Sequence, residues 1–401
     1  MKLSGKTAGR QLAVLFFARI VLNTAYRIVY PFLPAIARGL DISVASASQL
    51  VSLRLLPGLA APCLGALGDR QGRRRMIEPA LLIFSAAGLL IASVGTKWAV
   101  AAALVMYGLS KVLFDPSLHA FLGDSVPYSE RARAIGIIEL SWSSAWLLGV
   151  PASGYFIQRL GWRSPWALLG VLGLASLWLA HRVLPREPRP PDAQESPGSG
   201  PVGRSWLAML RRPGVLPMLI TGTLMTFAVE LPFIVYGAWL EKAFGLSLTS
   251  LGLASIAIGV AEAISELGTT LLTDRFGKRR SILAGLLGLA AGLALLPRLA
   301  GLGLVAAMSG IVLIVLAFEF AIVSFIPLAT EISPEARASF LSYNVTAALI
   351  GRMLGSLTGG WLWERQVGGI ALQAYVGAAA GLVAFLVMLV GVQEIRDSAK
   401  S

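Results

Sequence analysis

The sequence predicts an all-α membrane protein of twelve transmembrane helices in two pseudo-symmetric six-helix bundles. Three observations predict it. The first is composition. Of 401 residues, 56% are hydrophobic and only 14% charged, and mean hydropathy is +0.73; a soluble domain carries about 25% charged residues. The second is a string that occurs twice. Residues 65–75 read G-A-L-G-D-R-Q-G-R-R-R and residues 270–280 read T-L-L-T-D-R-F-G-K-R-R, with Asp69 and Asp274, Arg70 and Arg275, and Gly72 and Gly277 each 205 positions apart. The third is that other anchors recur near the same offset. Pro151 and Gly154 map onto Ser356 and Gly359, Glu130 onto Glu335, and Phe114-Asp115 onto Phe318-Glu319. Duplicated bundles of this kind are mostly transporters, because two similar halves can rock around a shared midline site.

Apolar stretches long enough to span a bilayer with about 20 residues lie near 11–38, 46–68, 76–95, 97–123, 133–158 and 163–183. A second set lies near 214–242, 249–272, 281–299, 302–330, 338–363 and 369–393. An even number of crossings puts both termini on one side. The basic residues choose the side. Lys2, Lys6 and Arg10, the loop residues Arg70, Arg73, Arg74, Arg75, Arg131, Arg133, Arg275, Lys278, Arg279, Arg280 and Arg337, and a basic central segment all fall on the side of the termini. The opposite face carries far fewer. Basic excess marks the cytoplasm, so both termini are expected to be cytoplasmic in a plasma (inner) membrane. The high pI is then a topology signal, with anionic lipid headgroups as partners and no role for nucleic acid. Arg19 interrupts the first apolar run and no small-residue cleavage site follows, so the N-terminus reads as an uncleaved span.

Residues 184–213 break the pattern with Pro185, Pro188, Pro190, Pro191, Pro197, Pro201 and Pro213. Such a segment cannot pack a core. It divides the chain into an N-terminal bundle at 1–183, a cytoplasmic linker at 184–213 and a C-terminal bundle at 214–401. The single Cys63 excludes a disulfide framework. With only His119 and His181, no multi-histidine metal site is expected. No cofactor is implied, and nothing resembles a nucleotide loop or a nucleophile constellation, so the chain is not read as an enzyme.

On these motifs the chain resembles the major facilitator superfamily over essentially its whole length. Its 65–75 loop is similar to that family's signature between the second and third helices, and 270–280 is the signature's echo. G-V-P-A-S-G at 149–154 looks like a loosened form of the Gly-Pro motif of proton-driven exporters, with Val150 between Gly149 and Pro151. Gly161-Trp162-Arg163 has the flavour of the drug:proton antiporter branch. The chain is expected to act as a monomer. The resemblance implies twelve helices and alternating access. It also implies a gating role for Gly65, Asp69, Arg70, Gly72, Arg73 and Arg74, and for Asp274, Arg275, Gly277, Lys278 and Arg279. By the family pattern Asp69 and Asp274 would latch onto helices of the opposite half; the alternative is a topology-setting basic loop with no gating role. A carboxylate at a helix N-terminus is held by free N–H groups and the helix dipole. Thr270 replaces the first glycine in the second copy, so that latch is expected to be looser.

Ionisable groups at membrane depth are costly and usually line a cavity or pair. In the first helix Arg19, Asn23, Tyr26, Arg27 and Tyr30 fall on one stripe. Arg54 lies in mid-span in the second helix, and Tyr107, Lys111 and Asp115 share a face of the fourth. Trp142, Trp146 and Tyr236 are further candidates to wall a cavity. The N-terminal half thus offers Arg19, Arg27, Arg54 and Lys111 against one acid, Asp115. The C-terminal half reverses this, with Glu230, Glu262, Glu266 and Glu319 against Arg352. One reading neutralises these groups in pairs: Lys111 with Asp115, Arg352 with Glu319 or Glu266, and an arginine of the other half with Glu230. The other makes the carboxylates proton carriers, since a changing neighbour changes protonation. Guanidinium groups hold carboxylate or phosphate in a two-pronged fork. The expectation is a secondary active transporter of a small organic solute, anionic, zwitterionic or amphipathic, exported against protons. Uptake or exchange of an organic anion, and a receptor or scaffold that binds without turnover, are the alternatives.

Overall fold

Every regular element among the described residues is helical. The structure, a computed structural model, describes residues 5–60, 72–185, 210–332, 337–365 and 369–392. Most of the Pro-rich 184–213 stretch lies outside them, as do Cys63, Gly65, Asp69 and Arg70; the Asp274 side chain is also undescribed. Among the described residues nine helices are long and apolar enough to cross a membrane, or ten if a bent pair counts as one span.

That bent pair is the first span. Helix α1 (Gly5–Arg27) and α2 (Val29–Gly39) meet at 56°. Pro31 has no N–H for the Arg27 carbonyl and its ring crowds that carbonyl, which explains the break. The second span breaks too. Helix α3 (Val44–Ser52) passes through a 3₁₀ turn at Leu53–Leu55 into α4 (Leu56–Leu59), where Pro57 offers no N–H to Leu53. Its remainder lies outside the described residues. Helices α5 (Arg73–Ser93) and α6 (Lys97–Ser125) are continuous. The fifth span is segmented into α7 (Tyr128–Glu139), α8 (Ser141–Ser144), a π turn at Ala145–Gly149 and α9 (Val150–Leu160). Pro151 follows that turn and cannot donate to Leu147. Helix α10 (Ser164–Val183) closes the set. Three spans expected as single rods are therefore broken, each beside a proline.

The second set comprises α11 (Val215–Phe233), α12 (Tyr236–Phe244), α13 (Leu248–Phe276), α14 (Lys278–Gly301), α15 (Leu304–Ile332), α16 (Arg337–Glu364) and α17 (Ala371–Gly391). Helix α16 sits where the eleventh span is expected, but it is too polar to count with the ten. The same pairings recur in both sets. Helix α5 packs on α6 and α10, and α14 packs on α15 and α17; α1 packs on α10, and α11 on α17. The chain forms two compact units, Met1–Ala193 with Gly237–Val260, and Gln194–Tyr236 with Ala261–Ser401.

Small residues set the close approaches, as expected where lipid supplies no driving force between helices. Along α16, a Cβ on Gly351, Gly355 or Gly359 would collide with Thr223 and Thr226, Glu230, or Leu231 of α11. In the first unit Gly154 faces the Leu248 carbonyl, Gly252 faces Pro151, and Gly259 faces Trp146. The G-V-P-A-S-G segment thus packs against the N-terminal part of α13. Gln158 caps that helix, accepting from the Leu248 N–H at 3.1 Å, and Arg38 pairs with Glu241 at 2.9 Å. The Gly-Trp-Arg string packs the same end of the unit. A side chain on Gly39 would strike Trp162, and one on Gly95 would strike Arg163.

The repeated basic string has a structural function in both copies. Arg74 donates to the carbonyls of Leu184 (2.7 Å) and His181 (2.8 Å), the last turn of α10. Arg279, 205 positions on, donates to the carbonyls of Val392 and Leu389, each at 2.7 Å, ending α17. Each arginine satisfies orphan helix carbonyls and complements the dipole. Arg73 pairs with Asp124 at 3.2 Å, and Lys278 pairs with Glu331. Gly72 (φ 92°) and Gly277 (φ 87°) start α5 and α14 in backbone that only glycine adopts comfortably. Replacing Gly72 with Ala is expected to cost about 1–3 kcal/mol. The melting temperature of the purified variant checks this; an unchanged value would mean the turn relaxes without strain.

Candidate functional site

The broken spans of the first unit bring their charges together. Four aromatic rings and three cations form a closed circuit. Arg54 lies over the rings of Tyr26 and Tyr30, each 4.9 Å from the centroid. Lys111 lies 5.6 Å from Tyr26 and 4.2 Å from Trp142. Arg27 lies 4.7 Å from Trp142 and 5.0 Å from Trp146. Tyr30 and Trp146 close the circuit with centroids 6.4 Å apart. Local structure supplies the convergence. The bend at Ile28 redirects Tyr30 relative to Tyr26, the 3₁₀ turn carries Arg54, and the π turn carries Trp146. π turns of this kind occur often at functional sites. Gly108 of α6 lets the helices meet, since a Cβ there would collide with the Arg54 carbonyl.

A polar network adjoins the ring. Arg19 is 3% exposed and grips Glu139 with both terminal nitrogens, at 2.9 and 3.2 Å. It also donates to the Ile138 carbonyl at 2.9 Å, and its Nε lies 3.5 Å from Asp115. Lys111 donates to Asp115 and to Asn23, each at 2.7 Å. Asn23 donates to Ser141 at 3.0 Å, and His119 stands 3.4 Å from Glu139. Asp115 and Glu139 thus answer Arg19 and Lys111. Arg54 differs. It is 3% exposed and donates to the Tyr26 carbonyl at 2.6 Å, while its Nε has no hydrogen-bond partner. Among the described residues no carboxylate lies within ion-pair distance of it. Among the described residues this buried guanidinium meets ring faces and one carbonyl, and is short of negative charge.

Arg19, Asn23, Tyr26, Arg27, Tyr30, Arg54, Lys111, Asp115 and Trp142 from the sequence expectation therefore meet here. The expected pair Lys111–Asp115 is present. Two points differ from expectation. Asp115 is not the only acid in the first half's interior: Glu139, near the start of the fifth span, sits about three turns inside because α7 begins at Tyr128. Tyr107 does not join the ring; it packs on Phe84 of α5 (4.9 Å) and Trp166 of α10 (5.5 Å). The stripe on α1 was the signal for the site. Trp146 pointed to it more weakly, and Glu139 offered no period to read.

In the second unit Glu230 is 1% exposed. It accepts from Arg352 at 3.2 Å and from Ser356 at 2.9 Å. An arginine of its own half, Arg352, thus pairs with Glu230, where one of the other half was expected. Arg352 also lies 5.6 Å over Phe318. Glu262 is buried and Glu266 and Glu319 are half-buried. Tyr236 is buried against Phe233, with centroids 5.1 Å apart.

The comparisons with known proteins bear on this arrangement. A family model described as Major Facilitator Superfamily matches residues 15–237 and 218–401. The chain belongs to the major facilitator superfamily. It is therefore a multi-pass membrane transporter of that family and not an enzyme. One relative is the uncharacterized MFS-type transporter YwfA of Bacillus subtilis, 26% identical over 67% of this chain and 65% of that one. Another is the tetracycline resistance protein, class C, of Escherichia coli, 25% identical over 67% of this chain and 69% of that one. Among solved structures, an inward-facing bacterial homologue of the human lysosomal transporter Spinster matches with a TM-score of 0.74. It is 15% identical, with 97% of this chain and 96% of that chain covered, so the likeness is one of fold. In this major facilitator protein the described helices fall into two sets with recurring pairings, in a fold like that of the solved neighbour.

Proposed function

We propose that this transporter moves a small organic solute bearing a carboxylate or phosphate, by alternating access, and that it exports the solute in exchange for protons. One observation carries the substrate class. Arg54 is buried, has no carboxylate partner among the described residues and is flanked by Tyr26 and Tyr30. A bidentate anion would supply the missing charge, and Trp142 and Trp146 would cover an apolar or aromatic body. The name of the tetracycline resistance relative, and the likeness of 149–154 to an exporter motif, favour export. The purified protein should be stabilised against heat by members of a panel of organic carboxylates and phosphates. Stabilisation by organic cations alone would overturn the substrate class.

Proton coupling is assigned to the embedded carboxylates of the second half. Glu230 is clamped by Arg352 and Ser356, which favours a structural role. Glu262 and Glu266 share a face of α13 and, with Glu319, are the better carriers. Glu266→Gln or Glu319→Gln is expected to remove the dependence of solute flux on a pH gradient in proteoliposomes. If neither changes it, these groups hold structure only. The rest of the proposal is that the basic loops and both termini face the cytoplasm in a plasma membrane. The protein acts as a monomer, and Asp69 and Asp274 help latch the cytoplasmic side.

A further inference from the structure

We propose that the groove between α5 and α10, at the end where Arg74 caps α10, is a binding site for an anionic glycerophospholipid. The groove encloses about 680 Å³. Its polar end is formed by Arg75 and His181, and its wall by Leu82, Leu174 and Trp178. That wall faces outward: Leu82 is 53%, Leu174 41% and Trp178 57% exposed. Arg182 lies over the Trp178 ring, 5.2 Å from its centroid. Glu78, the one acid among the described residues of the groove, is held by Arg74 at 2.6 Å and meets His181 at 3.1 Å. Arg75 and Arg182 make no ion pair among the described residues. Two exposed guanidinium groups thus stand at the mouth of an apolar furrow, with an aromatic ring at its rim. A basic pocket between spans with an interfacial tryptophan suits an anionic headgroup.

The second half supplies an internal comparison. The carbonyls that Arg74 caps (His181, Leu184) correspond to those that Arg279 caps (Leu389, Val392). In that register Arg75 becomes Arg280, but Glu78 becomes Leu283, Trp178 becomes Leu386 and Arg182 becomes Val390. The backbone arrangement is shared, and the charged set occurs in the first half alone. A topology signal would not require this difference. Arg75 and Leu82 are seven residues apart on α5, about 10 Å, so the furrow continues past a headgroup along an acyl chain. A free phosphate would use only its mouth.

The test is native mass spectrometry of the full-length protein with dioleoyl phosphatidylglycerol, phosphatidylcholine or inorganic phosphate. Phosphatidylglycerol should bind in preference to phosphatidylcholine. The double variant R75Q/R182Q should bind it roughly tenfold or more weakly, while R280Q stays within about twofold of wild type. If the double variant does not fold, Trp178→Ala and Arg182→Gln alone should each weaken binding several-fold. Equal binding of both lipids, an equal loss in R280Q, unchanged binding in the Arg75, Arg182 and Trp178 variants, or full displacement by inorganic phosphate would overturn the assignment.

Discussion

Arg54→Gln is expected to weaken binding of an anionic solute roughly 50-fold while leaving the empty protein about as stable as wild type. The difference follows from burial. In the empty protein the Arg54 guanidinium is desolvated against two tyrosine rings and one carbonyl, so removing the charge relieves a cost as it forfeits a hydrogen bond. With an anion bound, the same charge makes the strongest contact in the ring. Arg54→Lys should fall between, because an ammonium keeps the charge and loses the fork. Isothermal titration with the best anion from the stability screen, alongside melting of the empty variants, separates the two effects. Loss of stability with unchanged affinity would make Arg54 a structural strut and remove the main support for an anionic substrate.

Arg19→Ala is expected to destabilise the protein by about 3 kcal/mol or more. The arginine holds Glu139 at 2.9 and 3.2 Å and lies 3.5 Å from Asp115. Its loss leaves two carboxylates with Lys111 as the main cation beside them. Repulsion and desolvation both rise, and the Ile138 carbonyl loses a donor. The partial exposure of Glu139 keeps the figure at the low end of buried pairs. A double substitution, Arg19→Met with Glu139→Leu, should recover much of the loss, because it removes both ends of the pair. Unfolding measured in the same detergent for Arg19→Met, Glu139→Leu and the double gives the coupling. A coupling near zero would show that Arg19 and Glu139 do not support each other.

These two arginines illustrate how much of the site was legible. Both stood out because charge is rare in apolar spans, and Arg19 shared a helical period with Asn23 and Tyr26. Periodicity places residues on a face of one helix and does not name a partner on another. Glu139 and Asp115 satisfy Arg19 and, among the described residues, leave Arg54 without an acid, and that division depends on helix packing. Arg352 shows the same limit. Its spacing allowed Glu266 or Glu319 as partners, yet α11 and α16 pack through Gly351, Gly355 and Gly359 and bring it to Glu230. The prolines at 31, 57 and 151 were visible as letters. Their effect, breaking three spans around one ring, appears only when the freed carbonyls and redirected side chains are placed in space.

The sequence by itself determined the membrane class, the twofold repeat, the position of most spans and the identity of the embedded charges. Those follow from hydropathy, internal repetition and the cost of charge in hydrocarbon, all of which act locally along the chain. The tertiary structure decided which charges are neutralised, that Arg74 and Arg279 close the last helix of their own halves, and that Tyr107 lies apart from the ring. Pairing energies fall off within a few ångströms, so they depend on which helices touch, a long-range outcome that no single window of residues specifies.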